Sequence, residues 1–392
     1  MSIREVASLT AVGLTSVPAR IGTSMVIVVG LATVVMVLVS GLTIAEGFTR
    51  TARSTGSPDR AFVVNADRES SSALSREDAV TLLNAPGIRN SFTGEPLISA
   101  EYLTFVALRD PKTGVNVYAG VRGIGSHGRE LRPEMKIVAG RWFTPGAREL
   151  VIGRALQRRL GGLGEGGRIP MPDGEWQITG VFETGGDAHE SEFLTDVDTL
   201  MGVNRRNEFS SMTFALKQPD GFSEFAAAVA ANPALTVKVH RESEFYANAS
   251  RNISSLLTAV AYGVGALMAI GALFAALNSM YTAVSTRTAE IGTLRAMGFG
   301  PVAVGISIVV EALLLALIGA VLGALVCWIA LDDATMSTMS GMSHSQLTFA
   351  LNVGATQVLQ GLACALVVAL IGGSLAAGRA VRMPVVEALR AV

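Results

Sequence analysis

Charge is what this sequence has least of. Only 16% of its 392 residues are Asp, Glu, Lys or Arg, against about 25% in soluble domains. The net charge is −1, so the chain lacks the basic surplus that a nucleic-acid partner requires, and none is expected. Cysteine is nearly absent: Cys327 and Cys364 both fall in apolar runs, which excludes a disulfide scaffold and leaves two small buried residues. The four histidines, His127, His189, His240 and His344, show no HExxH or His-x-His spacing. "GGDAHESE" (Gly185–Glu192) gathers His189 with Asp187, Glu190 and Glu192. It lacks the paired ligand spacing of a structural zinc site and reads as a solvated loop. There is no G-x-S-x-G elbow, and the glycine-rich "GGLGEGGR" lacks the Lys-Ser/Thr of a phosphate loop. The chain is therefore expected to hold no catalytic residue, no metal and no cofactor.

Apolar length is what the sequence has in excess, at 50% hydrophobic residues. Four stretches match the roughly 20 apolar residues that a spanning helix needs. They are Ile21–Ala45, the run between Arg251 and Arg287, Val302–Ala330 (broken only by Glu311) and about 353–377. The first is too long for the apolar core of a signal peptide and no A-x-A-like site follows it, so it reads as a retained span. Arg4 and Arg20 precede the first span, Arg287 and Arg295 separate the second from the third, and Arg379, Arg382 and Arg390 follow the fourth. The loop "LDDATMSTMSGMSHSQ" carries acids and no Lys or Arg. Short-loop basic residues stay cytoplasmic, which places both termini inside and the large segment between the first two spans outside.

The expected division is an amphipathic cytoplasmic segment over 1–20, spans at 21–46, 252–284, 301–330 and 351–378, and an external domain over 47–250. A cytoplasmic loop over 285–300, a short external loop over 331–350 and a cytoplasmic tail over 379–392 complete it. In the external domain, "RAFVVNAD", "SREDAVTLLNAPGI" and "EYLTFVALRD" read as strand, helix and strand, with Ser75 and Asp78 at capping-box spacing. "SSMTFALK", "PDGFSEFAAAVAANP" and "ALTVKVHRE" repeat the plan. Between these two β-α-β units the signals are mainly β, including a hairpin "RIPMPDGEWQITGVFE" with Asp173-Gly174 as its turn. The fold class is α+β: four membrane helices, with an α/β lobe and an inserted β-rich lobe between the first and second.

Apolar helices gain nothing from leaving lipid, so their close contacts rely on small residues. Gly361, Ala365, Ala369, Gly373 and Ala377 recur every fourth residue in the fourth span, and Ala312, Ala316, Gly319 and Gly323 have similar spacing in the third. These stripes point to a helix seam, within one chain or across a dimer. Asn278 and Glu311 stand out as polar residues inside apolar runs. Such a group reads either as a structural ion pair or cap, or as a proton or substrate site.

"STRTAEIGTLRAMGFGP" (Ser285–Pro301) interrupts the greasiest region. Read as a helix, it lines up Ile291, Leu294 and Met297 in a ridge, with Arg287 and Arg295 on one side and Glu290 on the other. Gly298, Gly300 and Pro301 stop it and start the next span. The pattern suits equally a helix resting on headgroups and one docking on a partner protein.

"RTAEIGTLRAMGFGPVAVGISIVVEALLLALIGAVLGAL" resembles the signature of the FtsX/MacB-type permeases of ABC transporters. The matching residues are Arg287, Thr288, Glu290, Ile291, Gly292, Leu294, Arg295, Ala296, Gly298 and Glu311 to Leu315. The tail "RAVRMPVVEALR" resembles that family's end, and "RELVIGRALQRRLG", "WQITGVFETGG" and "ESEFLTDVDTL" look like its periplasmic core. The resemblance implies a dimeric permease, a homo- or heterodimer, in the bacterial inner membrane. Its loop helix (Arg287, Glu290, Ile291, Leu294, Arg295, Met297, Gly298) sits on an ATPase. The external lobes are then porter-like and sabre-like. Because the chain has no nucleotide site of its own, ATP is expected on a separate ATPase subunit. The implied work is export or extraction of a substrate from the periplasm or outer leaflet, often with a periplasmic adaptor. The alternatives are an FtsX-like mechanotransmitter acting on a periplasmic partner without cargo, a lipoprotein-releasing permease (although no hook-like insertion is found), and an ATP-independent receptor or scaffold.

Overall fold

The computed structural model describes residues 21–69, 72–110, 114–286, 288, 292–293, 295, 297, 300–332, 334–339 and 346–382. The chain divides into a helical unit (Met1–Ala45, Leu256–Ala334, Asn352–Val392) and a sheet unit (Glu46–Ser255, Thr335–Leu351).

Four helices among the described residues are long and apolar enough to cross a membrane: α1 (Ile21–Ser54), α7 (Glu242–Thr286), α8 (Pro301–Leu331) and α9 (Ala355–Arg382). Gly300, in extended conformation, precedes α8, and Pro301 opens it where its missing N–H costs nothing. At about 1.5 Å per residue, the 45 residues of α7 rise about twice the thickness of a hydrocarbon core. The unit boundaries fall inside α1 and inside α7, so both helices carry their polar ends into the sheet unit. Within the helical unit a continuous core joins Leu31, Val35 and Val39 of α1 to Ala276 of α7, Ala316 of α8 and Ala369 of α9.

The sheet unit holds β1 (Arg60–Asn65), α2 (Arg76–Leu83), β2 (Ile98–Arg109), β3 (Asn116–Ile124), α3 (Gly128–Leu131), β4 (Lys136–Gly140), β5 (Glu149–Gly153) and α4 (Arg154–Arg159). It continues through β6 (Arg168–Met171), β7 (Gly174–Glu183), β8 (Glu192–Asp196), α5 (Val197–Val203), β9 (Ser211–Ala215), α6 (Phe222–Ala230) and β10 (Val237–Arg241). The strands form one sheet in the order β10-β1-β9-β2-β3-β8-β5-β7-β4, with β6 on β7. In its first four strands the two expected β-α-β units interleave: β9 lies between β1 and β2, and β1 lies between β9 and β10. This is the split β-α-β arrangement. The capping box forms as spaced, with the Asp78 N–H donating to Ser75 Oγ (3.0 Å) and the Ser75 N–H to Asp78 Oδ2 (2.9 Å).

Strand β2 joins the lobes. Its residues 98–101 pair with β9, and its residues 102–109 pair with β3. Each lobe keeps its own core. Val63, Leu82, Phe214 and Phe225 fill the α/β lobe, and Val121, Ile152, Trp176 and Phe193 fill the β-rich one.

Two details correct the sequence reading. The β6–β7 hairpin turns at Pro172-Asp173, because Met171 pairs with Gly174; Asp173 is fixed by accepting a hydrogen bond from Trp176 Nε1 (2.8 Å). Residues 331–350 are more than a loop. They contain an antiparallel hairpin of β11 (Thr335–Met339) and β12 (Gln346–Ala350) that belongs to the sheet unit. Thr348 holds Ser191 through both backbone groups: its N–H donates to Ser191 Oγ (2.8 Å), and its carbonyl accepts from it (3.1 Å). Phe349 packs edge-on against Phe48 at 5.9 Å.

Candidate functional site

The small residues of the third and fourth spans occupy helix seams within this one chain. A Cβ added to Gly319 would stand 2.6 Å from the Val28 carbonyl oxygen, and one on Gly323 would strike the backbone of Ala32, so α8 meets α1 there. A Cβ on Gly361 would meet Val39 of α1 at 2.7 Å, and one on Gly373 would meet Ala312 of α8 at 3.0 Å. Ala365 and Ala369 are buried in the same core. Asn278 and Glu311 differ in exposure. Glu311 is buried, at 7% exposure, whereas Asn278 is exposed on α7. Of the residues expected to meet an ATPase, Arg295 is helical and half-buried and Met297 is exposed. Arg287, Glu290, Ile291, Leu294 and Gly298 lie outside the described residues.

The most unusual chemistry lies in the sheet unit, at the ends of the two long helices. Arg60 opens β1, just after α1, and Glu242 is the first residue of α7. Arg60 Nε donates to Glu242 Oε2, while its Nη2 donates to Glu134 (2.6 Å) and its Nη1 to the Leu131 carbonyl (3.0 Å). Glu242 accepts a second arginine, Arg132, at 2.9 Å. Arg132 also donates to Glu101 of β2 (2.5 Å) and to Thr213 Oγ1 of β9 (3.2 Å). Glu101 takes Arg122 of β3 at 3.1 Å, and Arg122 closes a two-pronged pair on Glu192 of β8 at 2.6 and 2.8 Å.

Charges of alternating sign thus run Glu134–Arg60–Glu242–Arg132–Glu101–Arg122–Glu192. The side chains of Glu101, Arg132 and Glu242 are fully buried. The chain ties the attachments of α1 and α7 to the middle of the sheet. Gly56 permits the approach: its φ is +81°, and a Cβ there would sit 2.8 Å from Glu242 Cγ.

Burial works against the charges of Glu242, Glu101, Arg132 and Arg122, and the neighbours reverse it. Desolvation would raise the Glu242 carboxyl, but Arg132 and Arg60 hold it down at about 2. Glu101 is likewise lowered against its burial by Arg132 and Arg122. Arg132 and Arg122 are raised, as Glu101 with Glu242, and Glu192, outweigh their desolvation. Tyr246, packed beside them on α7, has its phenol pushed up mainly by burial.

A depressed carboxyl stabilises the fold above its ordinary pKa, and that contribution is lost as the pH falls through the folded value. The window for Glu242 runs from 4.5 down to about 2, for a loss of roughly 3 kcal/mol. Chemical denaturation of the detergent-solubilised chain between pH 6 and pH 3 should therefore show falling stability, with a shallower slope in Glu242→Gln. Equal slopes would remove Glu242 from the account.

"GGDAHESE" is not the solvated loop that its composition suggests. Asp187, His189, Glu190 and Glu192 are all buried, at 4%, 2%, 6% and 7% exposure. Asp187 accepts from His189 Nδ1 (3.0 Å), and its carboxyl is lowered because His189 and Thr184 overcome its burial. Glu190 accepts from the backbone N–H groups of Thr184 (2.7 Å) and Gly186 (2.8 Å). Glu192 ends the ionic chain. The carboxylates are spent on protein donors, and among the described residues no three His, Cys, Asp or Glu side chains are grouped to hold a metal.

Comparison with known proteins agrees with this architecture. Residues 24–232 match the MacB-like periplasmic core domain, and residues 262–385 match the FtsX-like permease C-terminal domain. No curated protein matches the chain. Among solved structures, it is similar to the extracellular domain of the noncanonic ABC-type transporter YknZ from Gram-positive bacteria. That likeness has 16% identity over 46% of this chain and 99% of the other, with a TM-score of 0.35. It is also similar to the periplasmic region of MacB from Actinobacillus actinomycetemcomitans, with 14% identity over 51% and 95% and a TM-score of 0.38. The MacB-like match alone takes in more than half of the chain, and the FtsX-like match follows it in sequence without overlap. The chain belongs to the FtsX/MacB-type family of ABC transporter permeases.

Proposed function

We propose that this chain is the permease subunit of an ABC transporter whose ATPase is a separate polypeptide, and that ATP hydrolysis there moves the sheet unit to export or extract a substrate. The observation that carries the reading is mechanical. Helices α1 and α7 are unbroken across the unit boundary, and Arg60 of the strand that follows α1 and Glu242, the first residue of α7, are tied to each other and through Arg132 to the centre of the sheet. A shift of either helix along its axis therefore has a stiff point of application on the sheet.

The force enters at residues 285–300, on the cytoplasmic side that the short-loop arginines favour. Ile291, Leu294 and Met297 supply the apolar contact with the ATPase, and Arg287, Glu290 and Arg295 its charged rim, with Gly298 next in sequence. Both termini lie on that side of the bacterial inner membrane, and the sheet unit lies outside, where a periplasmic adaptor reaches it. Large exposed side chains on α7, such as Leu267 (72%), Ile270 (53%) and Phe274 (66%), suit packing against lipid and a second permease copy. ATP binds the partner subunit, and the permease itself carries no catalytic residue.

The test is co-purification with candidate ABC ATPases and measurement of hydrolysis. Wild type should retain one ATPase and change its rate severalfold. Glu290→Lys and Leu294→Asp should abolish that change while the sheet unit stays folded. Failure of any ATPase to co-purify, or variants that behave as wild type, would exclude the coupling role.

A further inference from the structure

We propose that strand β4 and the cleft beside it receive an extended acidic peptide segment from a partner protein, which adds to the sheet as one more strand. Among the described residues, strand β4 ends the sheet and is paired only with β7. A free edge of this kind presents unpaired backbone donors and acceptors to any extended chain. It also exposes apolar surface, with Val138 at 41%.

A cleft of about 790 Å³ adjoins it, and its lining includes Arg129, Lys136, Arg141 and Trp142 but no carboxylate. The three cations are not equivalent. Arg141 is committed to Glu149 through both terminal nitrogens, at 2.7 and 2.5 Å. Arg129 lies over the Trp142 ring at 5.5 Å. Lys136 makes no ion pair among the described residues, and the residue opposite it on β7, Glu183, is taken by Arg154 at 2.6 Å. Trp142 is held as a platform by stacking on Phe182 at 6.4 Å.

Arg129 and Lys136 are thus left to bind carboxylates. The same charges discriminate. Pairing β4 with β4 of a second copy would bring like charges together, and the register shift between Ile137 and Ala139 confines any added strand to a short pairing. An acidic strand avoids that penalty at Arg129 and Lys136, while the Glu165 carboxylate, 3.1 Å from where a Cβ on Gly140 would stand, marks the end of β4 that an acidic side chain would avoid. The inference does not depend on ATPase coupling, because β4 and its cleft belong wholly to the sheet unit.

The test uses the full chain in detergent, without nucleotide, and a fluorescein-labelled peptide of alternating Glu and Val read by anisotropy. Saturable binding is expected, weakened about tenfold by Lys136→Glu, weakened by added salt, and lost for the matching Lys-Val peptide and for a fully N-methylated Glu-Val peptide. Near-ultraviolet circular dichroism checks that Lys136→Glu is folded, and the peptide arms stand without any variant. No binding, or indifference to Lys136→Glu, would overturn the site. Equal binding of the N-methylated peptide would reduce it to ionic contact and overturn strand addition. Self-association of the chain through this edge, undisplaced by peptide, would assign the edge to a second copy and overturn the proposal.

Discussion

Arg132→Ala is expected to destabilise the sheet unit by about 3–5 kcal/mol, because it strands buried charge. The Arg132 guanidinium is fully buried and serves Glu101 and Glu242 together, both also fully buried. Removing it leaves two carboxylates with one arginine each and a void between them. The pair is costly even when complete: Arg132 Nε has no hydrogen-bond partner among the described residues, a loss of about 1–3 kcal/mol for a buried donor. Apolar side chains of similar volume often replace buried ion pairs without loss of stability. A buried ionic chain is therefore better suited to fixing one arrangement of its elements than to adding stability. Here the elements are the roots of α1 and α7 and strands β2, β3 and β8. Arg132→Lys keeps the charge but loses the fork, and should fall between wild type and Ala. Denaturant unfolding of the solubilised chain, followed by tryptophan fluorescence, measures both. An Arg132→Ala loss below about 1 kcal/mol, the scale of an exposed pair, would show that the chain is not held as described.

The second large effect is expected at Gly323→Leu, which should destabilise the helical unit by about 3 kcal/mol or more, at or above the upper end for overpacking. The obstacle is backbone: a Cβ at Gly323 runs into the carbonyl group of Ala32, with Ala32 Cα at 3.0 Å. A side-chain obstacle could rotate away, but here α8 and α1 must separate, and the small-residue contact that holds two apolar helices together is lost. Gly263→Ala on α7 is the control, since nothing lies within 4 Å of a Cβ there. It should leave the midpoint of thermal inactivation in detergent nearly unchanged. Similar shifts in both variants would mean that glycine content, and not this seam, sets the stability.

The spans were legible because uncharged length is a one-dimensional signal, and α2 was legible because Ser75 and Asp78 sit at the spacing of its cap. The β11–β12 hairpin was hidden because "TMSTM" has no apolar alternation and the alternation in "QLTFA" lasts only five residues. The turn at Pro172-Asp173 was placed one residue late because Asp-Gly is the stronger local signal, while the register was set by cross-strand pairing of Met171 with Gly174. The ionic chain was illegible for a different reason. Its members come from β1, β2, β3, β8 and α7 and from the segments around α3, and each alone reads as a surface charge. The available hint was a lone charge inside an apolar strand, as with Arg122 in "NVYAGVRGI". The acids around His189 misled in the same way, since the donors to Asp187 and Glu190 include, besides the His189 ring, backbone groups and a threonine hydroxyl that no spacing rule reports.

The account's central claim is that work done at residues 285–300 reaches the sheet unit through α1 and α7. Hydrogen exchange of the full chain with the proposed partner ATPase, with and without nucleotide, tests this at residues 242–250 of α7 and residues 46–54 of α1. The account predicts a nucleotide-dependent change in protection there in wild type, its loss in Glu290→Lys with the ATPase still folded and active, and its weakening in Arg132→Lys. A change that persists in Glu290→Lys, or the same protection with and without nucleotide in wild type, would contradict it.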